Sequence, residues 1–146
     1  MARLALPLLG MLEILVGSLR FTARWEAGAA PETCAAFRRL LPLRARLVQA
    51  RWSGESAWVP LGDLDTGLDY ENHTSYPGAG QLLLYPGGIS ETEILFPYGS
   101  TCFASKAGQL AGNHFATIFE GNELLKELGE RVLWKGAQEI TFTAQP

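Results

Sequence analysis

Short apolar segments separated by turn-forming residues are the feature that most constrains the fold. From Leu19 to Trp25, alternate residues are apolar, so their side chains share one face of an extended strand. The dipeptide Gly17-Ser18 just before this segment is typical of a tight turn after a first apolar run at 12–16. The pattern indicates a hairpin, and similar segments recur along most of the chain.

Eight strands follow from these patterns. Turn-forming residues separate them, notably at 53–56 and 86–88, and the polar segment 63–80 is rich in Asp, Gly, Asn and Pro and is typical of a loop. The predicted strands are 12–16, 19–25, 47–52, 57–61, 81–85, 91–96, 113–119 and 139–143, with one further short strand within the loop 99–112.

Two segments instead show helical signals. Pro31 can open a helix over 31–41 because its missing N–H costs nothing in a first turn, and Pro42 would stop it. Asn122 is a candidate cap for a second helix over 123–128 that would end at Gly129. The sequence therefore predicts a mainly β fold with two short helices, arranged as a closed β-barrel with helices over its ends.

Length and charge limit the function classes. A chain of 146 residues can bury one substantial core, and its 15 acidic and 12 basic residues are spread without runs. A nucleic-acid-binding face needs concentrated basic charge, so we expect no nucleic-acid partner. We interpret 11–146 as a single domain, and 1–10 as an N-terminal extension if Met11 is the true start.

The beginning of the chain and the cysteines bear on location. Arg3 and the leucines after it resemble a weak secretory signal, but Pro7, Gly10 and Glu13 interrupt the apolar run, which is also short for a membrane span. Two cysteines are too few for a disulfide framework. We therefore expect a cytoplasmic protein without a membrane partner.

Three segments carry a resemblance to a known family. The runs APETCAAF at 30–37, GAGQLLLYPGG at 78–88 and LAGNHFATIFEG at 110–121 occur in the order of the corresponding cyclophilin segments. Together they cover most of the domain, which thus resembles a cyclophilin-like closed β-barrel. The stretch 85–118 is also similar to an uncharacterised bacterial family of cyclophilin-like proteins, a domain of unknown function. That second resemblance implies a fold and no reaction.

The resemblance implies a pocket. Leu110 and His114 match a pocket leucine and histidine of cyclophilins, and Gln109 stands where many of them have tryptophan. The pocket rim would be formed by Tyr85, Pro86 and Gly87. Arg51 is the best candidate for the arginine that hydrogen-bonds the prolyl peptide in cyclophilins, although its spacing from Phe37 is shorter than theirs and the residues that usually follow that arginine are absent.

Acidic and histidine side chains suggest two further chemistries. Glu91 and Glu93 are two residues apart on a predicted strand, so they would share a face, and Glu71 and His73 have the same spacing in a loop. With His114 they could form a metal site or an acid/base pair. Because no tight ligand spacing occurs, we favour a solvated strand face and predict neither a metal nor a cofactor.

The leading functional hypothesis is a domain that binds a small polar or anionic ligand through Arg51, Tyr85, Glu93 and His114. It requires Arg51 and His114 to line one cavity. One alternative is a peptidyl-prolyl isomerase, which the resemblance and Arg51 support. A second alternative is a structural or assembly subunit, such as a homo-oligomer, because four tryptophans look exposed: Trp25, Trp52, Trp58 and Trp134.

Overall fold

The computed structural model describes residues 10–146, so residues 1–9 of the predicted extension lie outside the described part of the chain. The described part is mainly β. Its strands are β1 (Met11–Val16), β2 (Leu19–Trp25), β3 (Leu43–Gln49), β4 (Gly54–Pro60), β5 (His73–Thr74), β6 (Gln81–Tyr85), β7 (Glu93–Thr101), β8 (Ala104–Ser105), β9 (Gly108–Gln109), β10 (Gly112–Glu120) and β11 (Gln138–Gln145).

Eight of these strands form a closed antiparallel barrel, in the order β2-β1-β11-β3-β4-β7-β6-β10. The barrel closes where β10 pairs with β2, with Ala116 opposite Trp25. Closure leaves the eight strands without a free edge, which removes unpaired backbone groups. The predicted mainly β barrel with two short helices is confirmed.

The first helix, α1 (Pro31–Arg38), packs against the main core through Cys34 and Phe37. Phe37 is fully buried, and its ring lies 4.6 Å from the Phe115 ring and 5.3 Å from the Phe142 ring, measured between centroids. The prediction that this helix reaches Leu41 is wrong. The residue before Pro42 is driven out of the helical region, and the last turn tightens as Leu40 N–H donates to Phe37 O.

The second helix, α2 (Leu125–Lys135), corrects two predictions. It runs through Gly129 instead of ending there, and beyond the glycine it buries Val132 in the main core. The Tyr98 ring packs directly over Gly129 and leaves no room for a side chain. A 3-10 turn (Asn122–Leu124) precedes it, and Asn122 does not cap the helix: its amide donates to Ile118 O at 3.1 Å.

Long-range pairing moves the boundaries of several strands, including β3 and β7. The third strand spans Leu43–Gln49 instead of 47–52, because Leu43 to Leu47 pair with β11. The predicted strand 91–96 is β7 of the structure. It begins at Glu93 and continues to Thr101 beside β4, so Glu91 precedes the strand. The turn between β3 and β4 consequently lies at 50–53.

Side-chain alternation divides the apolar residues into two clusters. Leu82 and Leu84 of β6 belong to the main core inside the barrel, whereas Leu83 and Tyr85 belong to a second cluster and lie on the opposite face of the strand. The second cluster is completed by Leu95, Phe103 and Leu110, with Trp58 packed against it. The barrel therefore has an outer apolar platform beneath the loops that cross β4, β6 and β7.

The tryptophans differ in exposure from the prediction. Trp25 is buried and Trp58 is half-buried, whereas Trp52 and Trp134 are exposed. In residues 10–146, no helix is long and apolar enough to cross a membrane.

Candidate functional site

A cavity of about 300 Å³ lies beside the outer apolar platform. Three segments surround it: the β3–β4 turn at 50–53, the segment 89–93 that leads into β7, and residues 104–107 of the β8–β9 hairpin. Trp58 of β4 contributes to its wall and also packs against the second cluster. We call this space the outer cavity.

Hydrogen bonds hold the three segments in place. The Ser53 hydroxyl donates to Ala104 O at 3.1 Å and accepts from Ala104 N–H at 3.0 Å, which ties the β3–β4 turn to the β8–β9 hairpin. The Tyr85 hydroxyl accepts from the N–H groups of Ile89 (3.0 Å) and Ser90 (3.4 Å). The buried hydroxyl groups of Ser53 and Tyr85 therefore hold the backbone segments that form the outer cavity.

The end of the 86–92 loop is anchored on a neighbouring loop. Thr92 N–H donates to Gly62 O and its hydroxyl donates to Leu64 O, at 3.0 and 2.7 Å. Gly62 N–H in turn donates to the Glu91 carboxylate at 2.9 Å. These contacts set where β7 begins, and therefore where Glu93 lies.

Glu93 is the unusual group of the outer cavity. It is only 7% exposed, and among residues 10–146 its carboxyl group has no hydrogen-bond or ion-pair partner. Burial, and secondarily the nearby charge of Glu91, raise the pKa of Glu93 to about 8. A carboxyl group with such a pKa is mostly protonated at neutral pH and can gain or lose a proton near it.

The remaining lining is aromatic and cationic. Trp52 and Trp58 contribute indole surfaces, and Arg51 and Lys106 bring positive charge on exposed side chains. The Arg51 guanidinium carbon lies 5.8 Å from the centroid of the Trp52 ring. The outer cavity therefore combines apolar walls with acidic and basic groups.

The structure brings only some of the predicted site residues together. Arg51 and Glu93 line the outer cavity, whereas Pro86 and Gly87 line a separate, more open depression that Glu91 also borders. Gln109 is exposed and accepts a hydrogen bond from the Tyr76 hydroxyl at 3.2 Å.

Two predicted pocket residues are buried in the second cluster. Tyr85 is 1% exposed and Leu110 is 3% exposed, and the Tyr85 ring meets the Phe103 ring edge-on at 5.7 Å. Neither side chain lines the outer cavity. Tyr85 acts on the outer cavity indirectly, by holding the loop.

His114 belongs to a different network. Its Nε2 lies 2.8 Å from the Thr117 hydroxyl, which donates to the Glu26 carboxylate at 2.6 Å. Because that hydroxyl has one proton, His114 carries a hydrogen on Nε2 and donates it to Thr117. Burial lowers the pKa of His114. His114 does not line the outer cavity, so the structure does not bring it together with Arg51 there.

The groups considered for a metal site are also apart. The Glu71 carboxylate accepts hydrogen bonds from Thr33 N–H, the Thr33 hydroxyl and Glu32 N–H, and so caps α1. His73 is exposed and stacks on Tyr70 at 4.8 Å. Within the described residues, no three His, Cys, Asp or Glu side chains cluster in a way that could hold a metal ion.

Sequence reasoning missed Ser53, Trp58 and Ile89 as parts of the site. No local pattern marks them, because each reaches the outer cavity only through pairing of distant strands or through the loop that Tyr85 holds. Lys106 is exposed and also lines the cavity.

A closed eight-strand antiparallel barrel with a cavity on an outer platform defines the class: a small β-barrel protein with a candidate ligand site. The chain belongs to the family described as protein of unknown function (DUF3830), whose model matches residues 12–144. No curated protein matches the chain.

Solved structures share the fold at low sequence identity. McbB, solved in complex with tryptophan, superposes with a TM-score of 0.71 and 19% identity over 90% of this chain and 44% of McbB. The chain thus spans less than half of the length of McbB. The hypothetical protein AF2241 from Archaeoglobus fulgidus gives a TM-score of 0.59 and 17% identity over 92% and 93% of the two chains. These likenesses support the barrel fold alone, and the cyclophilin resemblance stays a prediction.

Proposed function

We propose that the chain binds a small, partly apolar molecule with a polar or anionic group in the outer cavity. The observation that carries this proposal is a cavity of about 300 Å³ with indole and aliphatic walls and a few ionisable groups. Small-molecule sites have this composition: apolar surface supplies affinity and a few polar groups set orientation. Its walls are also fixed in advance by Ser53 and Tyr85, which lowers the entropy lost on binding.

Arg51 and Lys106 support the polar or anionic part of the ligand. Both line the cavity with exposed side chains, so their charges can meet a carboxylate or carbonyl group without prior desolvation. McbB, a structure of similar fold, was solved with the aromatic amino acid tryptophan. A small aromatic molecule is therefore a suitable first ligand class to test.

Prolyl isomerisation is not the function that the geometry favours. Tyr85 and Leu110, which the resemblance assigns to the proline pocket, are buried in the second cluster and do not line the outer cavity. We expect no acceleration in a standard prolyl-peptide assay. Activity that disappears in Arg51→Ala would replace the ligand-binding proposal with the isomerase.

The test uses four molecules that share one apolar body and differ in charge: phenylalanine, 2-phenylethylamine, 3-phenylpropionate and 2-phenylethanol. Isothermal titration calorimetry at millimolar concentrations should show saturable binding of at least one of them. Trp52→Ala should weaken that binding severalfold, because this indole lines the cavity.

The matched control is Trp134→Ala, which removes an indole that is 78% exposed and lies on α2. It should leave the affinity unchanged. The proposal is wrong if none of the four molecules binds, or if Trp134→Ala weakens binding as much as Trp52→Ala does.

A further inference from the structure

Glu93 differs from Glu91, the other acidic group of the outer cavity. The Glu91 carboxylate accepts a hydrogen bond from Gly62 N–H. Glu93, at 7% exposure, has no such partner among the described residues. Its carboxyl oxygens are not fully enclosed and keep access to the open cavity, so a ligand there can reach a carboxyl group that has lost most of its contact with water.

Potential partners close to Glu93 in the chain are engaged elsewhere. The N–H groups of Ile89 and Ser90 donate to the Tyr85 hydroxyl, and Thr92 N–H donates to Gly62 O. Arg51 lines the same cavity but forms no ion pair with Glu93, and its guanidinium group lies near the Trp52 ring. The fold thus leaves the carboxyl group available to a molecule in the cavity.

We infer that the ligand of the outer cavity carries a protonated amine that pairs with Glu93. The inference rests on the proposed function and specifies its ligand class: small organic ammonium compounds with an apolar body, amino acids included. An ammonium group donates up to three hydrogen bonds, and a carboxylate can only accept them. The Trp52 and Trp58 indoles suit such a ligand because aromatic faces attract cations, and Glu91 adds a negative charge. The cations of the same cavity, Arg51 and Lys106, would meet the carboxylate of an amino acid.

Proton release follows from this pairing. With its pKa raised to about 8 by burial and Glu91, Glu93 is mostly protonated at pH 7 in the empty cavity. A bound ammonium group stabilises the ionised form, so binding must expel the proton. Affinity should therefore rise about tenfold per pH unit below pH 8 and then level off.

The four-molecule series tests the inference by its charge pattern. At pH 8, phenylalanine and 2-phenylethylamine should bind at least tenfold more tightly than 2-phenylethanol and 3-phenylpropionate. At pH 7, calorimetry in two buffers of different ionisation enthalpy should show nearly one proton released per amine bound. In Glu93→Gln, both the selectivity for amines and the proton release should disappear.

Glu91→Gln is the matched control, because Glu91 lines the same cavity but is exposed and already accepts a backbone hydrogen bond. It should retain proton release and lose less affinity than Glu93→Gln. Binding of 2-phenylethanol or 3-phenylpropionate as tight as that of the amines would overturn the inference and leave the proposed function standing. Binding of none of the four would overturn both.

Discussion

Glu93 is the first residue of β7, and its position makes the protonation of one carboxyl group depend on the fold. In the unfolded chain its pKa is near 4.5, whereas burial and Glu91 raise it to about 8 in the folded protein. Between these values the folded state holds one more proton than the unfolded state. Its contribution to stability is therefore full below about pH 4.5 and is lost as pH rises through 8.

This linkage predicts the behaviour of Glu93→Gln. The amide cannot ionise, so the variant should gain stability relative to the wild type as pH rises, by about 1 kcal/mol per pH unit between pH 5 and 8. Urea unfolding at a series of pH values measures the difference. A stability difference that is the same at pH 5 and pH 9 would show that Glu93 ionises normally.

Glu71 should have the opposite pH dependence. Burial opposes its ionisation, but hydrogen bonds from Thr33 and Glu32 outweigh burial and lower its pKa. Its contribution is thus present above the unfolded pKa and lost as pH falls through the lower folded value. Glu71→Gln should lower the free energy of unfolding at pH 7 by roughly 1 kcal/mol, as loss of a helix cap does.

The control for Glu71 is Glu32→Gln at the same helix end. The Glu32 side chain is exposed and forms no hydrogen bond or ion pair within residues 10–146, so its replacement should change stability little. Equal losses in the two variants would mean that general negative charge near α1, and not the Glu71 hydrogen bonds, supplies the stabilisation.

At the scale of elements, α2 is held on the barrel by close contact at Gly129. A Cβ atom there would overlap the Tyr98 ring, which a 2.7 Å hydrogen bond from its hydroxyl to Gln49 keeps in place. Gly129→Ala should therefore destabilise the protein by about 1–3 kcal/mol, although alanine favours helices.

Two further variants isolate the contact in chemical denaturation. In a Tyr98→Ala background the same Gly129→Ala change should become neutral or stabilising, because the obstructing ring is gone. Gly28→Ala, at a glycine with open space around it, should be nearly neutral in the wild type. Destabilisation by Gly129→Ala that persists without the Tyr98 ring would disprove the contact.

The loop over the outer cavity depends on one hydroxyl group. Tyr85→Phe removes the acceptor for Ile89 and Ser90 N–H while keeping the aromatic ring in the second cluster. We expect a loss of about 1 kcal/mol in stability and faster amide hydrogen exchange at residues 89 and 90. Unchanged exchange at these two amides would mean that Thr92 and Glu91 alone hold the loop.

Local patterns in the sequence indicate the barrel because strand alternation is a local property. β2 and β6 have the predicted bounds, and turn residues mark the breaks around them. The predicted boundaries were wrong where a distant partner decides them. β3 begins at Leu43 because β11 pairs beside it, and α2 continues past Gly129 because Val132 packs in the main core. The secondary-structure propensity of a local segment does not include its contacts with residues distant in the chain.

Less of the site than of the fold could be predicted from the sequence. Arg51 and Glu93 were predicted, but the resemblance also suggested His114, which the Thr117–Glu26 network holds away from the outer cavity. The alternation of β6 is consistent with Tyr85 and Leu83 on one face, but only the folded chain shows that Phe103 and Leu110 cover that face. Cavities depend on which side chains fill space, and that follows from the whole packing.

For the whole molecule, the closed barrel places the residues that stabilise the fold apart from the residues of the proposed ligand site. The main core fills the interior of the barrel, so the ligand site lies outside it, on the platform of the second cluster. Loops there can vary or adapt while the strand pairing that supplies stability stays intact. Ligand binding in the outer cavity should therefore leave the amides of β1, β2 and β11 unchanged.

The most direct test of the account is a chemical-shift map of the amide-labelled protein titrated with 2-phenylethylamine at pH 8. We predict the largest changes in the three segments of the outer cavity, 50–53, 89–93 and 104–107, with saturation at one common affinity. Largest changes around His114 and Thr117, or around Leu133 and Trp134 on α2, would place the site elsewhere and contradict the account.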